Sequence, residues 1–143
     1  MTCVVTAARG WIGTPYLHQG AAKGVGCDCL GLLRGLWREI HGAEPEPVPA
    51  YSPDWSEPQG VALLWQGALR HMPPATGPMQ QGDVLLFRMR AGAVAKHLGL
   101  VSATGYSPAF IHAYSLHGVV ESPLSAPWAR RIAARFIFAQ RSL

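Results

Sequence analysis

Apolar residues recur at Cys29, Leu32, Leu33, Leu36, Trp37 and Ile40, with Arg34, Arg38 and Glu39 between them. That i, i+3, i+4, i+7 spacing is the buried stripe of an amphipathic helix ending near Ile40. Gly24, Gly26 and Asp28 ahead of it supply a flexible entry and a side chain able to cap free N–H groups. His41-Gly42 supplies the stop. A shorter helix is predicted over Thr2 to Ile12, with Thr2 as N-cap and Val4, Ala8 and Trp11 on one side. Gly13-Thr14-Pro15 ends it, because the residue before a proline is driven out of helical geometry. Tyr16 to Gly26 reads as a glycine-rich loop, and Ala43 to Pro58, which holds Pro45, Pro47, Pro49, Pro53 and Pro58, as an extended surface segment. A second stripe, Val61, Leu64, Trp65 and Leu69, predicts a helix from Glu57 to His71, capped by Ser56 and stopped by Met72-Pro73-Pro74.

From Gln81 the period changes. Asp83 to Arg88, Lys96 to Ser102, Ala109 to Tyr114, Gly118 to Ser122 and Arg135 to Gln140 are short β-type runs between turn residues. Helices followed by a strand meander predict an α+β fold, with N-terminal helices packed on one face of a mostly antiparallel β-sheet. At 143 residues the chain is expected to form a single domain, residues 1–143.

Composition narrows the partners. Charged residues are only 14% against 49% hydrophobic, so part of the surface is expected to line a cleft or to be covered by another protein. Five of the eight acids lie between Glu39 and Glu57, while Arg130, Arg131, Arg135 and Arg141 crowd the C-terminal end. Such polarity suits an anionic polymer or an acidic partner. No stripe of Arg and Lys interleaved with aromatics is present, which argues against nucleic acid. The three cysteines, Cys3, Cys27 and Cys29, make no disulfide framework. A metal site drawing on Cys27, Cys29 and His97 lacks the usual ligand spacing, so no metal and no cofactor is expected. With neither a signal-peptide pattern nor an 18-residue apolar run, the chain is expected to be made in the cytoplasm and not to insert into a membrane.

The candidate chemistry starts at Cys29, in the first turn of the central helix. A helix N-terminus carries partial positive charge and favours a thiolate, which makes Cys29 a candidate nucleophile. Its alternative is the first small apolar residue of the buried stripe. Two histidines lie on consecutive strands. If Ser102 to Ser107 is the hairpin loop, His97 falls opposite His112 and their rings share a face. Each alone reads as a structural histidine; together, beside a helix-start cysteine, they make the nucleophile, base and orienter of a Cys-His hydrolase. On this reading helix-end charge and a facing imidazolium stabilise the thiolate. Cys27 is either a resolving thiol or a packed one.

The blocks Ala8 to Gly20 (ARGWIGTPYLHQG), Gly26 to Glu39 (GCDCLGLLRGLWRE), Gln80 to Phe87 (QQGDVLLF), Lys96 to Val101 (KHLGLV) and Phe110 to Tyr114 (FIHAY) resemble the NlpC/P60 cysteine peptidases. Specifically, they resemble the tail-associated cell-wall peptidases of phages and gene transfer agents. The resemblance implies a papain-like α+β fold and hydrolysis of an amide bond in peptidoglycan stem peptides, commonly D-γ-glutamyl–diaminopimelate. It implies Cys29 as nucleophile, His97 as general base and acid, and His112 as the group orienting His97. Tyr16 stands at the family's active-site tyrosine, Asp28 at its substrate-reading aspartate, and Gly99 would keep the cleft open. Two departures bear on substrate reading: Leu30 replaces the usual serine after the nucleophile, and His18 stands where tryptophan is common. The implied partners are stem peptides and the tail hub or tip of a phage-like particle, with action at the recipient's envelope, in the periplasm. The alternative is a structural tail-tip or hub-binding subunit with a relict peptidase site.

Overall fold

The computed structural model describes residues 3–44, 70–89 and 97–138. Helix α1 (Val4–Arg9) is shorter than the Thr2-to-Ile12 helix expected from the apolar spacing. No side chain caps its first turn, and the chain turns from Gly10 to Gly13, where the Gly13 N–H pairs with the Val119 carbonyl at 3.0 Å. The expected cap, Thr2, lies outside the described residues. The Tyr16-to-Gly26 loop contains a small hairpin, β1 (Ala21–Ala22) and β2 (Gly26–Cys27).

Helix α2 (Cys29–His41) has the expected boundaries. Asp28 is its N-cap, and Gly42 closes it in left-handed geometry (φ 89°), donating to the Arg38 carbonyl at 2.8 Å. Leu32, Leu36 and Ile40 are buried, each stabilising the fold by roughly 2 kcal/mol. Gly31 and Gly35 permit close approach: a Cβ at Gly35 would lie 2.1 Å from the Trp11 ring. Trp11 thus slots beneath α2, with its Nε1 donating to Glu39 Oε1 at 2.7 Å.

The strands are β3 (Asp83–Phe87), β4 (His97–Ala103), β5 (Ala109–Tyr114), β6 (Gly118–Pro123) and β7 (Ile132–Ile137), in the order β6-β5-β4-β3-β7, all antiparallel. The last strand begins at Ile132 rather than Arg135: Ala133 and Ala134 carry little β-propensity, but pairing with β3 overrides it. Arg135 of β7 ion-pairs with Asp83 of β3 at 2.7 Å, pinning the two strands. Of the expected helix to His71, only Arg70 and His71 are described, and both are helical. The proline-rich segment lies outside the described residues beyond Glu44.

The sheet separates two apolar layers. Val84, Leu86, Leu98, Leu100, Ile111 and Phe136 face α1 and α2. Leu85, Phe87, Val101, Phe110 and Leu124 form the opposite layer, which the short helix α3 (Ala126–Ala129) closes with Trp128. The α+β architecture with helices on one face is as expected; the covering of the second face by α3 is not. Among the described residues no helix is long and apolar enough to cross a membrane.

Candidate active site

Cys29 opens α2 because Asp28 fixes the helix start. One carboxylate oxygen of Asp28 accepts the Gly31 N–H at 2.7 Å and the other accepts the Gln19 N–H, also at 2.7 Å. The cap therefore ties the loop before the helix to its first turn. Gln19 adopts φ 64° to make that bond, a left-handed geometry costing about 1 kcal/mol in a non-glycine residue.

The backbone N–H groups of Leu98, Leu30 and Cys29 itself lie close enough to the Cys29 sulfur to favour its thiolate. Leu98 follows His97 directly, so the start of the helix meets the start of β4. The shift of the half-buried Cys29 thiol runs against the expected stabilised thiolate. Burial, then the Asp28 carboxylate, push the thiol up to about 12, against the three N–H groups that pull it down. Loss of solvation outweighs the helix end.

His97 and His112 are hydrogen-bonded, Nε2 to Nδ1, at 2.8 Å. They do not stand opposite one another as the assumed loop required. β4 runs on to Ala103, the chain turns through residues 104–108, and a bulge follows, giving Leu100↔Ile111 and Val101↔Phe110. Continuing that ladder sets Gly99 against His112, with His97 on the diagonal. Diagonal neighbours on one face remain within reach of large rings. Gly99 does not hold a cleft open: a Cβ there would lie 2.8 Å from Phe110 Cδ2 and 3.4 Å from Phe87 Cε2. The missing side chain makes room for packed rings.

Both imidazoles are enclosed, His97 being 8% exposed and His112 0%. Trp128 lies 5.8 Å from the His97 ring and 5.2 Å from that of His112, with Phe87, Phe110 and Tyr114 around them. Burial, then its partner His112, lower His97 to about 3. Burial, then His117, lower His112 to about 4. Both shifts favour the neutral imidazole. Beyond His112 the chain of contacts continues, with its Nε2 2.9 Å from Ser122 Oγ.

The remaining candidates divide. Tyr16 is 37% exposed and bridges Cys27 through its backbone. Partial burial, then the neighbouring Cys29, Asp28 and Cys27, raise its phenol to about 12, so its hydroxyl shares the electrostatic surroundings of the sulfur. His18 lies at the same edge, its Nδ1 3.8 Å from Asp28 Oδ2 and its Nε2 3.2 Å from Gln19 Nε2. Leu30 packs against the helix-side core. Cys27 is fully buried in that core, and burial, then Asp28, raise its thiol to about 12. Trp128 and Ser122 were not anticipated. Ser122 carries a readable signal, since it alternates with Val120 on the face of β6 that neighbours His112. Among the described residues no three His, Cys, Asp or Glu side chains converge as a metal-holding group.

The arrangement of helices on this antiparallel sheet is shared with known structures. The fold is the NlpC/P60 fold. An NlpC/P60-family protein similar to a lipoprotein, from Staphylococcus aureus subsp. aureus Mu50, matches with TM-score 0.63 and 19% identity over 96% of this chain and 41% of its own. A NlpC/P60 family protein from Bacillus cereus ATCC 10987 matches with TM-score 0.61 and 20% identity over 92% of this chain and 38% of its own. The chain thus spans about two fifths of those two proteins. The NlpC/P60 domain of the peptidoglycan hydrolase SagA matches with TM-score 0.57 and 20% identity, covering 94% of this chain and 96% of that domain. No protein-family model and no curated protein matches the sequence.

Proposed function

We propose that this chain is an NlpC/P60 cysteine peptidase cleaving an amide bond of peptidoglycan stem peptides, with D-γ-glutamyl–diaminopimelate the bond chosen. We propose further that residues 1–143 act as one peptidase domain carried on the tail of a phage or gene transfer agent, opening the recipient's wall during DNA delivery. The observation that carries the catalytic reading is the His97–His112 hydrogen bond, in a strand whose next residue, Leu98, has its backbone N–H near the Cys29 sulfur. The resemblance of the motifs and the low surface charge support the tail assignment.

In this reading His112 engages His97 Nε2, which leaves Nδ1 as the nitrogen that takes the thiol proton. The resting pair is neutral, so that proton moves as the sulfur attacks the amide carbonyl. The carbonyl oxygen becomes an oxyanion, accepting hydrogen bonds from the Cys29 N–H and the Tyr16 hydroxyl. Collapse breaks the C–N bond, and His97 returns its proton to the leaving amine. Water, deprotonated by His97, then cleaves the thioester and regenerates the thiol. Asp28 works here by holding the Gln19 loop, and Leu30 offers an apolar surface where a serine would read a polar group.

Digestion of defined peptidoglycan followed by mass spectrometry of the muropeptides tests both activity and bond choice. Wild-type protein should release new fragments with free amines, and Cys29→Ala should release none. Equal release by the variant would remove the mechanism. The burial that keeps thiol and imidazoles neutral favours the structural tail-tip reading, which predicts gene transfer unchanged in Cys29→Ala particles.

A further inference from the structure

His97, His112 and Ser122 lie on the three neighbouring strands β4, β5 and β6, on one face. His97 is two residues from Gly99, which the ladder sets opposite His112; Ser122 is two residues from Val120, which pairs with His112. The contacts therefore run as one diagonal across the sheet, 2.8 Å and then 2.9 Å. Two proton orders satisfy them. In one, His97 Nε2–H donates to His112 Nδ1, and His112 Nε2–H donates to Ser122 Oγ. In the other every bond reverses, and His97 carries its proton on Nδ1, where it cannot take one from sulfur.

We infer that Ser122 is the positioning residue that sets this order, by accepting the Nε2–H of buried His112 and so leaving His97 Nδ1 bare. Ser122 is half-buried, so its own hydroxyl proton can turn outward while its oxygen accepts. Without that oxygen the first order strands a buried N–H, whereas the reversed order strands only a ring lone pair. Orphaned buried N–H groups are the rarer of the two in folded proteins. Deleting the hydroxyl therefore tips both rings to the unproductive tautomer. The kinetic consequence rests on the peptidase reading; the tautomer consequence does not.

Long-range 15N–1H spectra of histidine-labelled full chain at neutral pH report the tautomers. Wild type should show both His97 and His112 as Nε2–H. Ser122→Ala should raise the Nδ1–H fraction of both, and Ser122→Thr, which keeps the hydroxyl, should restore the wild-type pattern. On peptidoglycan fragments Ser122→Ala should lower kcat about fivefold to tenfold with KM unchanged, the loss expected for one hydrogen bond to a buried ring, and Ser122→Thr should recover it. Wild-type His97 found as Nδ1–H, or identical spectra in wild type and Ser122→Ala, would overturn the inference whether or not the alanine variant is fully stable. Tautomers that shift as expected in a protein that cleaves nothing would uphold it and remove the peptidase reading instead.

Discussion

Acidification should destabilise this protein through two imidazoles. Above pH 6.5 His97 and His112 are neutral in both the folded and the unfolded chain, and neither opposes folding. As the pH falls, an ordinary imidazole of value 6.5 takes a proton in the unfolded chain, while burial holds His97 neutral to about 3 and His112 to about 4. The unfolded state binds more protons, so stability is lost between pH 6.5 and the folded values, and the loss is complete only below them. At pH 4.5 linkage sets the loss at about 2.7 kcal/mol for His97 and slightly less for His112, about 5 kcal/mol together. That is a large part of the 5–15 kcal/mol of a typical domain. Urea unfolding at pH 7 and pH 4.5, followed by circular dichroism, measures it. The double variant His97→Gln, His112→Gln keeps polar groups in place but cannot titrate, while the carboxylates common to both proteins cancel. Wild type should lose about 5 kcal/mol more than the variant. Equal losses would mean that the two rings are solvated or already charged in the fold, and the neutral-pair mechanism would go with them.

Gly31→Ala should destabilise the fold by about 3 kcal/mol in urea, because its Cβ would stand 1.6 Å from the Gly20 carbonyl oxygen; an unchanged midpoint would refute that contact. Asp28→Ala should lower stability by about 1–2 kcal/mol, because the Gly31 and Gln19 N–H groups both lose their acceptor. Asp28→Asn should recover part of that, and a cap of no measurable effect would sink the argument. With its thiol pushed up to about 12, Cys29 should be alkylated by iodoacetamide at pH 7 more slowly than exposed Cys3, and faster as the pH rises. Peptide mapping that finds Cys29 labelled first would show a resting ion pair instead.

The central helix was readable because every local signal agreed: stripe, Asp28 cap and Gly42 stop all point to the same boundaries. The strands from β3 to β6 were readable for a similar reason, since turn residues separate short β-rich runs. β7 was misplaced because Ala133 and Ala134, near its start, owe their extended form to pairing with β3 rather than to their own preferences. The histidine pairing was legible as a shared face, and its register was not. Register depends on where the hairpin turns and on a bulge near Val101, and neither leaves a mark in hydrophobic alternation. The shift of the Cys29 thiol runs opposite to the helix-end expectation, because position at a helix end is visible in a sequence and loss of solvation is not. Trp128 escaped notice for the same reason: nothing in Ala126–Ala129 shows that its one large ring closes over two histidines on other strands.

The placement of the two halves of the site follows from strand geometry. Side chains alternate across β4, so Leu98 belongs to the layer under α2 while the His97 ring lies among Phe87, Tyr114 and Trp128 on the other face. A helix-borne sulfur and a strand-borne imidazole on opposite faces can work together only at the end of the sheet. His97 is the first residue of β4, and there the sulfur reaches the strand through the Leu98 backbone rather than through a side chain. On the proposed mechanism the two layers hold different parts of one reaction. Packing around Gly31, Gly35 and Trp11 sets where the sulfur stands. Packing around Gly99, Phe110 and Trp128 sets how the imidazoles are turned. A pair split in this way needs both faces of the sheet closed, and on the proposed mechanism that is the work of a helix of four residues beyond β6, too short to be stable alone, which carries a tryptophan over the histidines.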